Sequence, residues 1–162
     1  MTIYGSCLCG SVKFQFEQTA GPFEICHCTR CRKLTGAQGM PAVTIRADGY
    51  AMTEGSSCIS TYEAPILYSA PAYRSTFCAK CGSPVPDPSP KEDTLEVPAG
   101  LLDGQFDSLP DKHIFVEFLP AWDSISDGRP QYDIRSLAQE RSGSELPDEF
   151  RIRTHYDQND DK

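Results

Sequence analysis

This 162-residue sequence predicts a mainly β fold with short helical turns, held together by bound metal. Three observations predict it. Apolar residues fall in short alternating or continuous runs rather than in long helical periodicities. The 13 Pro and 12 Gly punctuate those runs. Seven of the eight cysteines lie in three tight groups, a spacing that suits metal better than disulfides. At this length the expectation is one domain, within the usual range of roughly 100 to 200 residues and able to bury about two thirds of its unfolded surface.

Taken in order, Val12, Phe14 and Phe16 alternate with Lys13, Gln15 and Glu17, giving a half-buried strand that follows Cys9-Gly10-Ser11. Thr29 to Leu34 is a helical turn ended by Gly36, with Cys28 near its start, where free N–H groups favour a thiolate. Met40 to Ile45, Tyr73 to Phe77 and His113 to Phe118 are further strands. Pro84, Pro86, Pro88 and Pro90 make a stiff extended loop after Cys81-Gly82, since proline cannot donate to a central strand. Gly100 to Leu109 reads as a loop, and Trp122 follows the break at Leu119-Pro120. Ile134 to Arg141 forms a short helix that turns Leu137 inward, and Gln158 to Lys162 frays. Residues 1–133 are therefore the metal-binding domain and 134–162 a polar, partly disordered extension.

The cysteine groups are Cys7-Leu8-Cys9, Cys26-His27-Cys28-Thr29-Arg30-Cys31 and Cys78-Ala79-Lys80-Cys81, with Cys58 alone in Ser56-Ser57-Cys58. Thiolates this close repel one another unless a cation neutralises them, and tetrahedral Zn²⁺ accepts up to four at about 2.3 Å. A closed structural zinc takes four ligands, whereas a catalytic one keeps three and an open position. Seven divides as four plus three: Cys26, Cys28 and Cys31 form one site within six residues, leaving Cys7, Cys9, Cys78 and Cys81 as a tetrathiolate. Two Zn²⁺ per chain follow, with iron the competitor at the tetrathiolate because spacing alone does not separate the metals. Cys58 is a structural or partly exposed thiol outside this scheme.

The 15 Lys+Arg against 23 Asp+Glu give a net charge of -8, whose field repels phosphate backbones and acidic membranes. Nucleic acid and membranes are excluded as partners on that ground. No apolar run approaches the roughly 18 to 20 residues of a membrane-spanning helix, and Met1 to Gly10 lacks a signal-peptide pattern. The expected location is the cytoplasm.

The motifs Gly5-Ser6-Cys7-Leu8-Cys9-Gly10, Cys26-His27-Cys28-Thr29-Arg30-Cys31-Arg32-Lys33 and Phe77-Cys78-Ala79-Lys80-Cys81-Gly82, in this order, resemble the glutathione-dependent formaldehyde-activating enzyme family, whose domain is shared with the centromere protein V group. His113-Ile114-Phe115-Val116-Glu117, Ala121-Trp122 and Asp127-Gly128-Arg129-Pro130 look like that family's C-terminal part, so the resemblance runs from about Tyr4 to Asp133. It implies an Mss4-like fold of mainly antiparallel sheets stapled by a structural zinc at Cys7, Cys9, Cys78 and Cys81, with a catalytic zinc at Cys26, Cys28 and Cys31.

The implied activity is that of a carbon–sulfur lyase. A small-molecule thiol such as glutathione, held as thiolate, adds to formaldehyde or a related electrophile to give an S-hydroxymethyl adduct, or the reverse cleavage runs. Hydration or hydrolysis by zinc-bound hydroxide is the other chemistry such a site permits. The alternative class is a non-catalytic zinc module that binds a protein partner, its second site closed by His27, His113 or a neighbouring chain. Adjacent side chains diverge, which places His27 behind the ligands or at the surface. Arg30, Arg32 and Lys33 either meet glutathione carboxylates or form a solvated basic face. His113 and Glu117 are acid/base candidates if their strand faces the metal and strand-edge residues otherwise, and Arg74 and Tyr68 have no assigned role.

Overall fold

Alternation of apolar and polar side chains sets the first sheet of the computed structural model, which describes residues 1–66 and 72–150. Strands β1 (Ile3–Ser6) and β2 (Lys13–Phe16) pair antiparallel with Gly5 opposite Phe14 and Ile3 opposite Phe16. The expected strand is thus present, with Phe14 and Phe16 buried and Lys13 exposed. The remaining strands are β3 (Thr19–Cys26), β4 (Met40–Arg46), β5 (Tyr50–Glu54), β6 (Ile59–Glu63), β7 (Arg74–Cys78), β8 (Thr94–Pro98), β9 (Leu102–Asp103), β10 (Lys112–Ile114) and β11 (Gln131–Tyr132). Two α-helices, α1 (Thr29–Thr35) and α2 (Ile134–Ser142), complete a mainly β protein.

Two compact units share these elements. The first comprises Met1–Glu24, Pro41–Tyr62 and Ser75–Asp111; the second comprises Ile25–Met40 and the described parts of Glu63–Arg74 and Lys112–Lys162.

In the first unit an antiparallel sheet has the order β5-β2-β1-β9, with a bulge in β2 between Lys13 and Phe14. β4 pairs antiparallel with β8, Val43 facing Val97. Phe14, Phe16, Val43, Ile45 and Val97 are its buried core, flanked by Ile3, Phe23, Tyr50, Leu95 and Phe106. Each buried phenylalanine contributes about 1.5 to 3 kcal/mol of transfer free energy. A second cluster joins Cys7, Val12, Cys78 and Val85, with Cys58, Ile59 and Cys81 packed against it. Cys58, half-buried in a 3-10 turn over Ser56–Cys58, is thus a packing residue. Among the prolines, Pro84 makes an isolated bridge to Phe77.

In the second unit β10 runs parallel to β11, His113 facing Gln131. The strand expected over His113 to Phe118 ends early, because Phe115 adopts a left-handed conformation with φ 59°. Val116–Phe118 then coils as a 3-10 turn, and Glu117 accepts a hydrogen bond from the Ile134 N–H at 2.9 Å. Glu117 therefore caps the start of α2 and is not on a strand. The helix expected over Ile134 to Arg141 is α2, with Leu137 buried. Asp133 caps it by accepting from the Ser136 N–H at 2.8 Å. Trp122 is exposed. Tyr68 and the expected fraying of Gln158 to Lys162 lie outside the described residues. Among the described residues no helix is long and apolar enough to cross a membrane.

Candidate metal centres

Each metal-ligand motif folds as a tight turn. In the first unit Gly10 donates its N–H to Cys7 O and Gly82 donates to Cys78 O, both at 2.8 Å. These glycines have φ 72° and 76°, a conformation that a side chain would strain. The two turns bring Cys7, Cys9, Cys78 and Cys81 together, with their sulfurs all within 4.8 Å of one another. Cys7 and Cys9 sulfurs are 3.6 Å apart, and Cys9 and Cys78 are 3.9 Å apart. These spacings are far longer than a disulfide bond of about 2.05 Å. They match the sulfur–sulfur edge of about 3.8 Å in a tetrahedron with metal–sulfur bonds of about 2.3 Å.

Local donors favour thiolate at this cluster. Val12 N–H points at Cys7 Sγ at 3.3 Å. The Ser83 hydroxyl holds the Cys81 thiol down at about 5, and that of Ser11 lowers Cys9. Burial pushes Cys78 up to about 11, so only a cation makes all four sulfurs anionic together.

In the second unit β3 delivers Cys26, the following turn delivers Cys28, and the first turn of α1 delivers Cys31. Cys28 is the helix N-cap, its sulfur accepting from the Cys31 N–H at 3.5 Å, and Gly36 closes the helix. The three sulfurs lie within 4.8 Å of one another, and among the described residues this group has three members and no fourth. Hydrogen bonds from the Cys26 and Cys31 thiols drive the Cys28 thiol down to about 2, while the same contacts push those two up. Zinc, which binds thiolate at both structural and catalytic sites, fits both donor sets.

Both histidines expected near this trio are engaged elsewhere. His27, which lies between two of the cysteines in sequence, is buried, with Nδ1 2.8 Å from Gln38 O and Nε2 2.8 Å from His113 Nδ1. The rings stack with centroids 5.1 Å apart. His113 is buried too, and its Nε2 meets Asp127 Oδ2 at 3.1 Å. Asp127 lies well below the usual carboxylate range because the Arg129 N–H and the His113 ring bond to it. Asp127 carried no expected role; its partner stands 14 residues away, and no periodicity signals the pair.

The basic residues of α1 divide. Arg32 is not on a solvated face: its Nη1 donates to Phe118 O at 2.6 Å, and its Nε is buried. Arg30 lies over the Tyr73 ring, 4.8 Å from its centroid, and its charge helps lower the Cys28 thiol. Arg74 is exposed at the start of β7, the strand that ends at Cys78.

The family model described as glutathione-dependent formaldehyde-activating enzyme matches residues 2–118. A curated Halomonas elongata protein, provisionally named a glutathione-dependent formaldehyde-activating enzyme, is 29% identical over 153 residues, covering 92% of this chain and 91% of its own. A crystal structure of a Rhodobacter sphaeroides protein is 18% identical, with a TM-score of 0.49, covering 80% of this chain and 98% of the other. The family match spans both cysteine clusters and most of the chain, and on it this protein belongs to the glutathione-dependent formaldehyde-activating enzyme family.

Proposed function

We propose that this protein is a two-zinc carbon–sulfur lyase-type enzyme that joins a glutathione-like thiol to formaldehyde or a related small electrophile, or cleaves the adduct. Cys7, Cys9, Cys78 and Cys81 would hold a structural zinc in an Mss4-like fold, and Cys26, Cys28 and Cys31 a catalytic one. The observation that carries the reading is the second trio: three sulfurs converge while all four ring nitrogens of His27 and His113 are engaged in other contacts. Neither histidine then supplies the fourth ligand that a closed, non-catalytic module needs.

A zinc ion held by this trio would supply the charge that keeps a thiol substrate as thiolate near neutral pH. Three thiolate ligands donate strongly and so favour a soft sulfur substrate over water. In the addition the thiol sulfur forms a bond to the aldehyde carbon, the carbonyl π pair moves to oxygen, and that oxygen takes the proton the thiol gave up. The chain's part is positioning. α1 fixes Cys28 and Cys31 in one turn, and Arg30 places positive charge beside Cys28, where it also attracts a glutathione carboxylate. Eight free cysteines suit the reducing cytoplasm, our assignment for its location.

The test is turnover. Cys28→Ala should abolish S-hydroxymethylglutathione formation and cleavage, followed by NMR exchange, whereas Cys58→Ser should keep both. If Cys28→Ala leaves every tested thiol and aldehyde pair turning over at the wild-type rate, the reading is wrong.

A further inference from the structure

The second unit contains a line of polar groups, buried at its two histidines, that the proposed chemistry does not use. It runs from Gln38 O through His27 and His113 to Asp127, which Arg129 holds by its backbone N–H at 3.0 Å and its guanidinium at 2.6 Å. Gln38 O accepts from His27 Nδ1, Asp127 accepts from His113 Nε2, and the two rings meet through His27 Nε2 and His113 Nδ1 at 2.8 Å. Every ring nitrogen of the pair thus has a partner that fixes its ring.

His27 is also constrained sterically. A Cβ on Gly39 would stand 3.0 Å from His27 Nδ1 and 3.1 Å from Cys26 O, so the ring and the ligand backbone share one tight seat. His27 also donates its backbone N–H to Ile114 O at 2.9 Å, next to His113.

We propose that His113, held by Asp127, is a positioning residue that fixes the His27 ring and thereby the spacing of Cys26 and Cys28. This rests on the reading of the trio as a metal site. Residues that orient metal ligands from behind typically change metal affinity by about 10- to 100-fold when removed.

The test uses the zinc-loaded full chain. His113→Phe and Asp127→Asn should each weaken one of two zincs by about 10- to 100-fold against a chromophoric chelator and leave the other unchanged. Asp127 is partly exposed, so Asp127→Asn keeps a folded protein to measure should His113→Phe not fold. Cobalt in place of the weaker zinc should show a changed ligand-field band in Asp127→Asn, which a general loss of stability does not produce. His113→Gln, which keeps one donor, should restore part of the affinity. A second zinc held as tightly in Asp127→Asn as in the wild type overturns the proposal. A wild type that binds only one zinc overturns the reading of the trio instead.

Discussion

The two cysteine clusters use the same ligand atom in opposite ways. The tetrathiolate of the first unit joins turns far apart in the chain, Cys9 and Cys78 being 69 residues apart, and sits among buried Val12 and Val85. The trio of the second unit lies within six consecutive residues and is built on one helix start. A clip closing a loop of some 70 residues removes about 4 kcal/mol of unfolded-chain entropy, and one closing six residues about 2 kcal/mol. On this count a metal would stabilise the first cluster by about 2 kcal/mol more than the second. Under the proposed function the trio is the local, three-ligand arrangement that a substrate would complete.

The sharpest way to break this comparison is to remove a ligand from the long-range cluster. Cys78→Ser should cost about 4 kcal/mol or more and abolish the cooperative thermal transition followed by circular dichroism. A melting temperature within a few degrees of wild type would mean that the cluster is not a staple. A milder probe is competition with a chelator at rising concentration. The zinc of Cys26, Cys28 and Cys31 should leave first with little change in circular dichroism, and loss of structure should follow only the second zinc. Simultaneous loss of both would erase the distinction between the clusters.

The smallest effect lies far from either cluster in sequence, at the α2 cap. Asp133→Ala should cost about 1 kcal/mol. The Ser136 hydroxyl and N–H bonds hold the Asp133 carboxyl below its ordinary range. A carboxyl depressed on folding stabilises the native state above its unfolded value of about 3.9 and loses that contribution as pH falls through its native value. The difference between wild type and Asp133→Ala in denaturant midpoint should thus be constant from neutral pH down to about 4 and shrink below it. A constant difference into stronger acid would remove the cap from the account.

Much of this is legible in the chain. The Cys-x-Cys and Cys-x-x-Cys spacings define both clusters because each turn is local, and the alternation around Phe14 and Phe16 defines β2. Other features are not. His113 to Phe118 carries the apolar pattern of a strand, yet Phe115 turns left-handed and Glu117 commits its carboxylate to the N–H of Ile134. No side-chain periodicity encodes a backbone reversal at a phenylalanine. The contact of His27 with His113 spans 86 residues and exists only once the second unit folds, so neither position alone announces it. Arg32 reads in the sequence as a glutathione contact or a solvated cation, because its bond to Phe118 O is equally remote.

The central claim is that the chain holds one closed and one open zinc site. Elemental analysis of zinc and iron, on wild type and Cys28→Ala purified under reducing conditions without chelator, tests it most directly. The account predicts close to two zincs per wild-type chain and close to one in Cys28→Ala. One zinc in both proteins, or iron in place of zinc, would contradict it.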